Sequence, residues 1–333
     1  MSAVKAVCVF REGKEMPAWV APTIEAAGIE FAERDCKTTE EALELGRDAD
    51  IVWIMGGGRL LSAEDLPQLG RCGAIVRSGS GTDNIPVAEA TRLGIIVANT
   101  PGATAIPVAE HAIALLLSVI RKITVHDRRV REGRFSFFEE KPRFILHGST
   151  IGLIGFGHIA RGVAARLRPF GTRVLACDPV VSTVEMAALG VEAVELPQLL
   201  ATADFVSVHT PLLDETFHLL GEAELKQMKP SGILINTSRG EVVDQSALTR
   251  ALQEGWIEAA GLDVLESEPP DIEDPLLGLP NVVLTSHIAG CHKDQMEDFW
   301  RLSMETVIDL GQRKWPVSYV NPGVEARWEM RHR

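Results

Sequence analysis

The sequence predicts an α/β chain of two doubly wound parallel-sheet domains. Three observations carry that prediction. Short apolar, β-rich runs alternate with amphipathic stretches from the N-terminus onward. A length of 333 residues exceeds one typical domain. A second alternation starts afresh at Thr150, and it carries a glycine turn that the first lacks.

In the first alternation Val4 to Phe10, Ile51 to Met55, Ala74 to Arg77 and Ile95 to Ala98 read as strands. Trp19 to Ala27, Glu40 to Leu45 and Val87 to Leu93 have the apolar spacing of helices between them. Asn99-Thr100-Pro101-Gly102 is a turn signal, and a long apolar helix is expected from about Ile106 to Val130. Glu139 to Arg143 reads as a solvated surface loop. The second alternation places strands at Thr150 to Ile154, Arg173 to Ala176, Asp204 to Val208, Gly232 to Asn236, Ala259 to Val264 and Val282 to Thr285. Ile159 to Leu167 is helical in its spacing, and a last helix is expected at about Lys293 to Leu310.

At 46% hydrophobic and 24% charged the composition is that of an ordinary globular chain. A net charge of −13 argues against a nucleic-acid surface, which needs concentrated positive charge. The longest nearly apolar run, Ala112 to Ile120, is about half a membrane span, so no membrane association is expected. Val4 to Phe10 is too short for a secretory h-region. Five scattered cysteines without CxxC spacing fit a reduced, cytoplasmic chain, and no metal site is expected.

The chemistry begins at Gly152-Leu153-Ile154-Gly155-Phe156-Gly157-His158-Ile159-Ala160, which reads as strand, glycine turn and helix. Only glycine lets the backbone turn sharply and approach a pyrophosphate, and a helix opening at His158 presents free amides and a positive dipole end. Gly155, Gly157, His158 and Ile159 are therefore candidate dinucleotide contacts. Asp178, 23 residues after Gly155, falls at the tip of the next strand, where it can accept hydrogen bonds from ribose hydroxyls. A carboxylate there repels a 2′-phosphate, and Pro179-Val180-Val181 offers no cation to hold one, so NAD is favoured over NADP.

Three later strands end in polar residues. Arg239 follows Asn236-Thr237-Ser238 and can fork onto a carboxylate. Asp263 lies near the end of the next strand, Glu266 and Glu268 follow it, and His287 follows the last one. A histidine beside a carboxylate holds an imidazolium near neutral pH for proton transfer. Taken singly, each has a plainer reading: a surface ion pair for Arg239, a loop charge for Glu268, a hydrogen-bonded core histidine for His287.

Together these motifs make the chain resemble the D-2-hydroxyacid dehydrogenases. The resemblance runs from Arg77-Ser78-Gly79-Ser80-Gly81-Thr82-Asp83-Asn84 through Val108-Ala109-Glu110-His111, the glycine turn, His209-Thr210-Pro211-Leu212 and Thr237-Ser238-Arg239-Gly240 to His287-Ile288-Ala289-Gly290. It implies a Rossmann NAD domain, residues 101–290, inserted into a flavodoxin-like substrate domain of residues 1–100 and 291–333. It implies that Arg239 binds the substrate carboxylate and carbonyl, that Glu268 raises the pKa of His287, and that His287 is the acid/base. Arg77, Ser80 and Gly81 resemble substrate-binding positions. Thr104, Thr237, Ser238, Asp263, His287 and Gly290 resemble cofactor contacts, with His209, Thr210 and Pro211 walling the adenine side. The apolar helix from Ile106 suits a homodimer interface.

The family acts on many 2-keto and 2-hydroxy acids. Arg77 stands where its phosphoglycerate dehydrogenases carry an arginine near the phosphate, but Ile54 stands where a second is expected. An uncharged small acid such as glyoxylate or hydroxypyruvate is the favoured substrate. D-3-phosphoglycerate dehydrogenase is an alternative, with Arg59 as a source of a phosphate contact. An NAD-sensing corepressor-like binding protein is another, since such proteins can retain all three catalytic positions.

Overall fold

The computed structural model describes residues 3–10, 15–136 and 144–332. The loop expected at 139–143 lies outside these described residues. The chain divides into two compact units, Met1–Thr104 with His292–Arg333, and Ala105–Cys291.

In the first unit the order is β1 (Val4–Phe10), α1 (Val20–Ala26), β2 (Ile29–Asp35), α2 (Thr39–Gly46), β3 (Ile51–Met55), β4 (Ala74–Arg77), α3 (Val87–Arg92) and β5 (Ile96–Asn99). The strands pair in parallel in the order β2-β1-β3-β4-β5, the flavodoxin-like doubly wound arrangement. β3 and β5 are buried along their whole length, as expected of strands covered on both faces. β2, unpredicted, is an edge strand whose Ile29 alone is buried, so its sequence lacks a continuous apolar run.

The C-terminal helix Gln295–Gly311 belongs to this unit and brings Trp300, Met304, Val307 and Leu310 onto the core that holds Phe10 and Trp53. The Trp53 and Trp300 rings meet edge to face at 5.2 Å, and the buried Trp53 Nε1 donates to Ser78 Oγ at 2.8 Å. The chain that follows covers the exposed edge of β5. Val320 N donates to Val97 O at 2.9 Å, Asn321 Oδ1 accepts from Val97 N at 2.9 Å, and Asn321 Nδ2 donates to Ile95 O at 2.9 Å. One asparagine side chain thereby takes the place of a neighbouring strand on an edge that would otherwise pair with other chains.

The second unit contains α4 (Ala105–Ile120), α5 (Ile123–Arg131), β6 (Thr150–Ile154), α6 (His158–Leu167), β7 (Arg173–Cys177), α7 (Thr183–Ala188), β8 (Glu192–Ala193), α8 (Leu196–Thr202), β9 (Phe205–Val208), α9 (Glu222–Leu225), β10 (Ile233–Asn236), α10 (Gln245–Glu254), β11 (Ala259–Leu262) and β12 (Val282–Leu284). Its parallel sheet runs β12-β11-β10-β9-β6-β7-β8. The strand order reverses beside β6, and ligands of such sheets bind at the carboxyl ends of the strands at that point.

The single long helix expected from Ile106 to Val130 is two helices. Lys122 has φ 51°, which breaks the ladder, and the following Ile123–Arg131 segment has no buried residue. α4 itself packs Ala109, Ala112, Leu115, Leu116 and Val119 into the core of its own unit, with Ile151, Leu153 and Phe205. Its apolar character is thus accounted for by the sheet it covers.

Candidate active site

The glycine turn leaves β6 under tight backbone control. Gly155 has φ +86°, and a Cβ there would stand 2.8–2.9 Å from the backbone of His209 and Thr210, so a side chain would force the β9 loop away. Gly157 is the N-cap of α6, and a Cβ on it would meet no protein atom within 4 Å; it would project into the open space over the helix end. The first amides of α6, at His158, Ile159 and Ala160, have no acceptor within the helix.

Asp178 sits just after β7. Its Oδ2 accepts from Phe156 N at 2.7 Å, and its Oδ1 accepts from Val180 N at 2.8 Å and Val181 N at 3.0 Å. The carboxylate therefore ties the glycine turn to the second strand while its remaining lone pairs stay available. His209 follows β9, with its ring bonded to Ser207 Oγ at 2.9 Å; desolvation lowers its pKa to about 4, so it is a neutral wall at physiological pH. Thr210 and Pro211 continue this loop. Thr237, at the end of β10, is buried, and its Oγ1 has no hydrogen-bond partner among the described residues. A buried hydroxyl left this way calls for an external partner.

The turn after β10 is organised by Asn236, a residue the sequence reading passed over. Its Oδ1 accepts from Ser238 N and Oγ at 3.0 and 2.9 Å, and its Nδ2 donates to Arg239 O at 2.9 Å. Arg239 leaves this turn in extended conformation, and the next residue, Gly240, has no room for a Cβ: Leu265 C would lie 2.0 Å away. That close approach brings the loop after β11 against the Arg239 turn.

This loop carries Glu268, whose Oε2 lies 2.7 Å from His287 Nδ1, while its Oε1 accepts from Leu265 N at 3.1 Å. Both side chains of the pair are partly exposed, at 47% for His287 and 37% for Glu268. His287 has φ +54°. Its turn is held by Asp263, which is 1% exposed: Asp263 O accepts from His287 N at 2.8 Å, Oδ1 from Ile288 N at 3.0 Å and Oδ2 from Ala289 N at 2.8 Å. Gly290 closes the same turn. A second histidine–carboxylate pair, His218 Nε2 with Glu266 Oε1 at 2.8 Å, braces the same loop.

Arg77, Ser80, Gly81 and Thr104 belong to the first unit. Ser80 Oγ and Thr104 Oγ1 are 2.5 Å apart, and Asn99 Nδ2 donates to Ser80 O at 2.8 Å. Gly79, φ +103°, lets the Arg77 guanidinium lie against its backbone. Ile54, offered as the place of a missing arginine, is 1% exposed in the core.

Residues 113–289 match the sequence profile described as "D-isomer specific 2-hydroxyacid dehydrogenase, NAD binding domain". The chain belongs to this family. It is an NAD-dependent oxidoreductase acting on CH–OH groups, and its cofactor is NAD. The dehydrogenase is 42% identical over 247 residues to a glyoxylate reductase of Korarchaeum cryptofilum, covering 73% of this chain and 74% of that one. It is 41% identical over 241 residues to a D-3-phosphoglycerate dehydrogenase of Archaeoglobus fulgidus, covering 72% of this chain and 45% of the relative's length. Among solved structures it is similar to a D-lactate dehydrogenase of Aquifex aeolicus complexed with NAD and lactic acid, at TM-score 0.76 and 28% identity over 92% of this chain and 95% of that one.

The residues present fit the dinucleotide. Open space beyond Gly157 and the Thr237 hydroxyl, without a partner among the described residues, offer contacts to a ligand, as do the opening amides of α6. A cavity of about 210 Å³ lined by Val119, Lys122, Arg128, Phe144, Ile233 and Asn281 lies at the opposite, N-terminal ends of β10–β12, and no predicted site residue lines it. Among the described residues no helix is long and apolar enough to cross a membrane.

Proposed function

We propose that this dehydrogenase reduces small uncharged 2-keto acids, glyoxylate or hydroxypyruvate, to the D-2-hydroxy acids, with Arg239, Glu268 and His287 as the catalytic residues. The observation that carries the reading is the 2.7 Å pair of His287 with Glu268, which stands on a loop packed against the Arg239 turn. Bound NADH supplies the hydride that reaches the substrate's C2. Arg239 forks onto the carboxylate and polarises the carbonyl. Glu268 engages His287 Nδ1 and orients the ring, leaving Nε2 to protonate the carbonyl oxygen.

Gly155, Gly157, His158 and Ile159 take the pyrophosphate, Asp178 the ribose, and His209, Thr210 and Pro211 the adenine side. Thr104, Thr237, Ser238, Asp263 and Gly290 complete the cofactor contacts, and Arg77, Ser80 and Gly81 take the substrate. Residues 1–100 and 291–333 form the substrate domain in this reading, and 101–290 the NAD domain. A homodimer is part of it. Its support shifts from α4 to α5 and the segment after it, where Ile123, Val130, Phe135 and Ile145 are exposed. Five free cysteines support a cytoplasmic setting.

Phosphoglycerate dehydrogenation is the second reading. Arg59 Nη2 reaches Asp83 O at 3.4 Å, on the same loop that begins at Arg77. The test is turnover of NADH with glyoxylate, hydroxypyruvate and 3-phosphohydroxypyruvate. His287→Ala lowers kcat by roughly 10²–10⁴-fold, the span of general acid–base catalysis, with NADH affinity nearly intact. Arg239→Ala lowers kcat and raises KM together. Turnover confined to the phosphorylated acid installs the second reading. NADH binding without any turnover overturns both in favour of a corepressor-like binding protein.

A further inference from the structure

His111 lies on α4, and none of the roles assigned above uses it. Its Nε2 is 2.9 Å from Thr285 Oγ1 and 3.5 Å from Asp263 Oδ1. Thr285 Oγ1 is in turn 2.5 Å from Asp263 Oδ1. The direction of this chain follows from counting protons. Asp263 accepts backbone amides on both oxygens, as an ionised carboxylate does, so it has no proton to give Thr285. Thr285 has one proton, and it goes to Asp263. The hydroxyl oxygen is then an acceptor toward His111, which must carry its proton on Nε2.

The far end of the chain is the acid/base turn. Asp263 receives the amides of His287, Ile288 and Ala289 in succession, one on its backbone oxygen and two on its carboxylate. His287 stands at φ +54°, a conformation that a non-glycine residue keeps only where its surroundings over-determine it. Fixing the Asp263 carboxylate therefore fixes the direction in which His287 presents its ring to Glu268 and to the substrate.

We propose that His111 is a positioning residue for His287, acting through Thr285 and Asp263 as a hydrogen-bond donor. The inference rests on the reading of His287 as the acid/base.

Three variants test it: His111→Leu keeps apolar bulk and removes the donor, His111→Gln restores an N–H at similar reach, and Thr285→Val removes the relay at nearly constant shape. The leucine and valine variants lower kcat about tenfold with NADH affinity unchanged. KM for the keto acid changes less than kcat, because the ring is still present but no longer held in the reacting direction. The glutamine variant returns kcat to within about threefold of the parent. The double variant His111→Leu/Thr285→Val is no worse than either single change, as expected of one chain. The NMR resonances of the His287 ring in the cofactor-free protein move in the leucine and valine variants and return toward the parent's in the glutamine variant.

A leucine variant with the parent's kcat and His287 ring resonances overturns the proposal, and so do leucine and glutamine variants impaired alike. Full activity of His287→Ala instead removes the acid/base reading itself. The His287 ring resonances then still report whether His111 governs the His287 turn.

Discussion

The two sheets of this protein leave their first strands in different ways. In the second unit three residues, 155–157, separate β6 from α6, and two of them are glycines. In the first unit nine residues, 11–19, separate β1 from α1, and the N-cap Trp19 makes no side-chain cap. Both β1 and β6 run between parallel neighbours and carry mostly buried residues. The parallel sheet is therefore common scaffolding, and the length and composition of one turn decide which sheet can hold a pyrophosphate.

The sharpest way to break that comparison is Gly155→Val. A branched side chain at φ +86°, pressed against the His209 backbone, displaces the β9 loop, and NADH binding falls by at least about 100-fold, an effect of roughly 2.7 kcal/mol. Fluorescence titration measures it. Gly28→Ala is the matching change in the first unit, at φ +80° with open space around it. It costs only the left-handed strain, about 1–2 kcal/mol in unfolding, and leaves the NADH titration unchanged. Equal losses of binding in the two variants would show that the turn has no special role.

Asp178→Ser tests the choice between cofactors. Removing the carboxylate relaxes the preference for NADH over NADPH by about tenfold or more, equivalent to ~1.4 kcal/mol of lost repulsion. The ratio of kcat/KM values is the quantity to read, since Asp178 also braces the Phe156 and Val180 amides and both affinities will drop. An unchanged ratio contradicts the selective role. The last effect, in the first unit, is on stability and leaves binding unmoved. Asn321→Ala uncovers the β5 edge and leaves Val97 N and Ile95 O without partners, costing about 1–3 kcal/mol in denaturant unfolding. NADH affinity stays where it was.

Much of the fold was legible because its signals are local. Central strands such as β3 and β10 are continuous apolar runs, since both faces are covered. Edge strands β2 and β8 were missed for the converse reason: one neighbour and a half-exposed face leave a weak pattern. α10 was overlooked although Asp244 caps its start at 2.9 Å from Ala247 N and Gly255, at φ +73°, ends it. Both of those signals are printed in the sequence. The break at Lys122 is different, for nothing in Arg121-Lys122-Ile123 demands a left-handed residue.

The same division runs through the candidate site. Sequence alone marked the glycine turn and the acid at Asp178, and the family resemblance marked Arg239, Glu268 and His287, each in a segment that follows an apolar strand run. Tertiary structure decided which groups complete them. His111 and Thr285 lie 174 residues apart, and Asn321 and Val97 lie 224 apart. Asn236 bends back over Arg239 through a side chain whose direction no periodicity encodes. Periodicity reports how a residue faces its own element, whereas a hydrogen bond also depends on which distant residue the packed sheet brings within 3 Å.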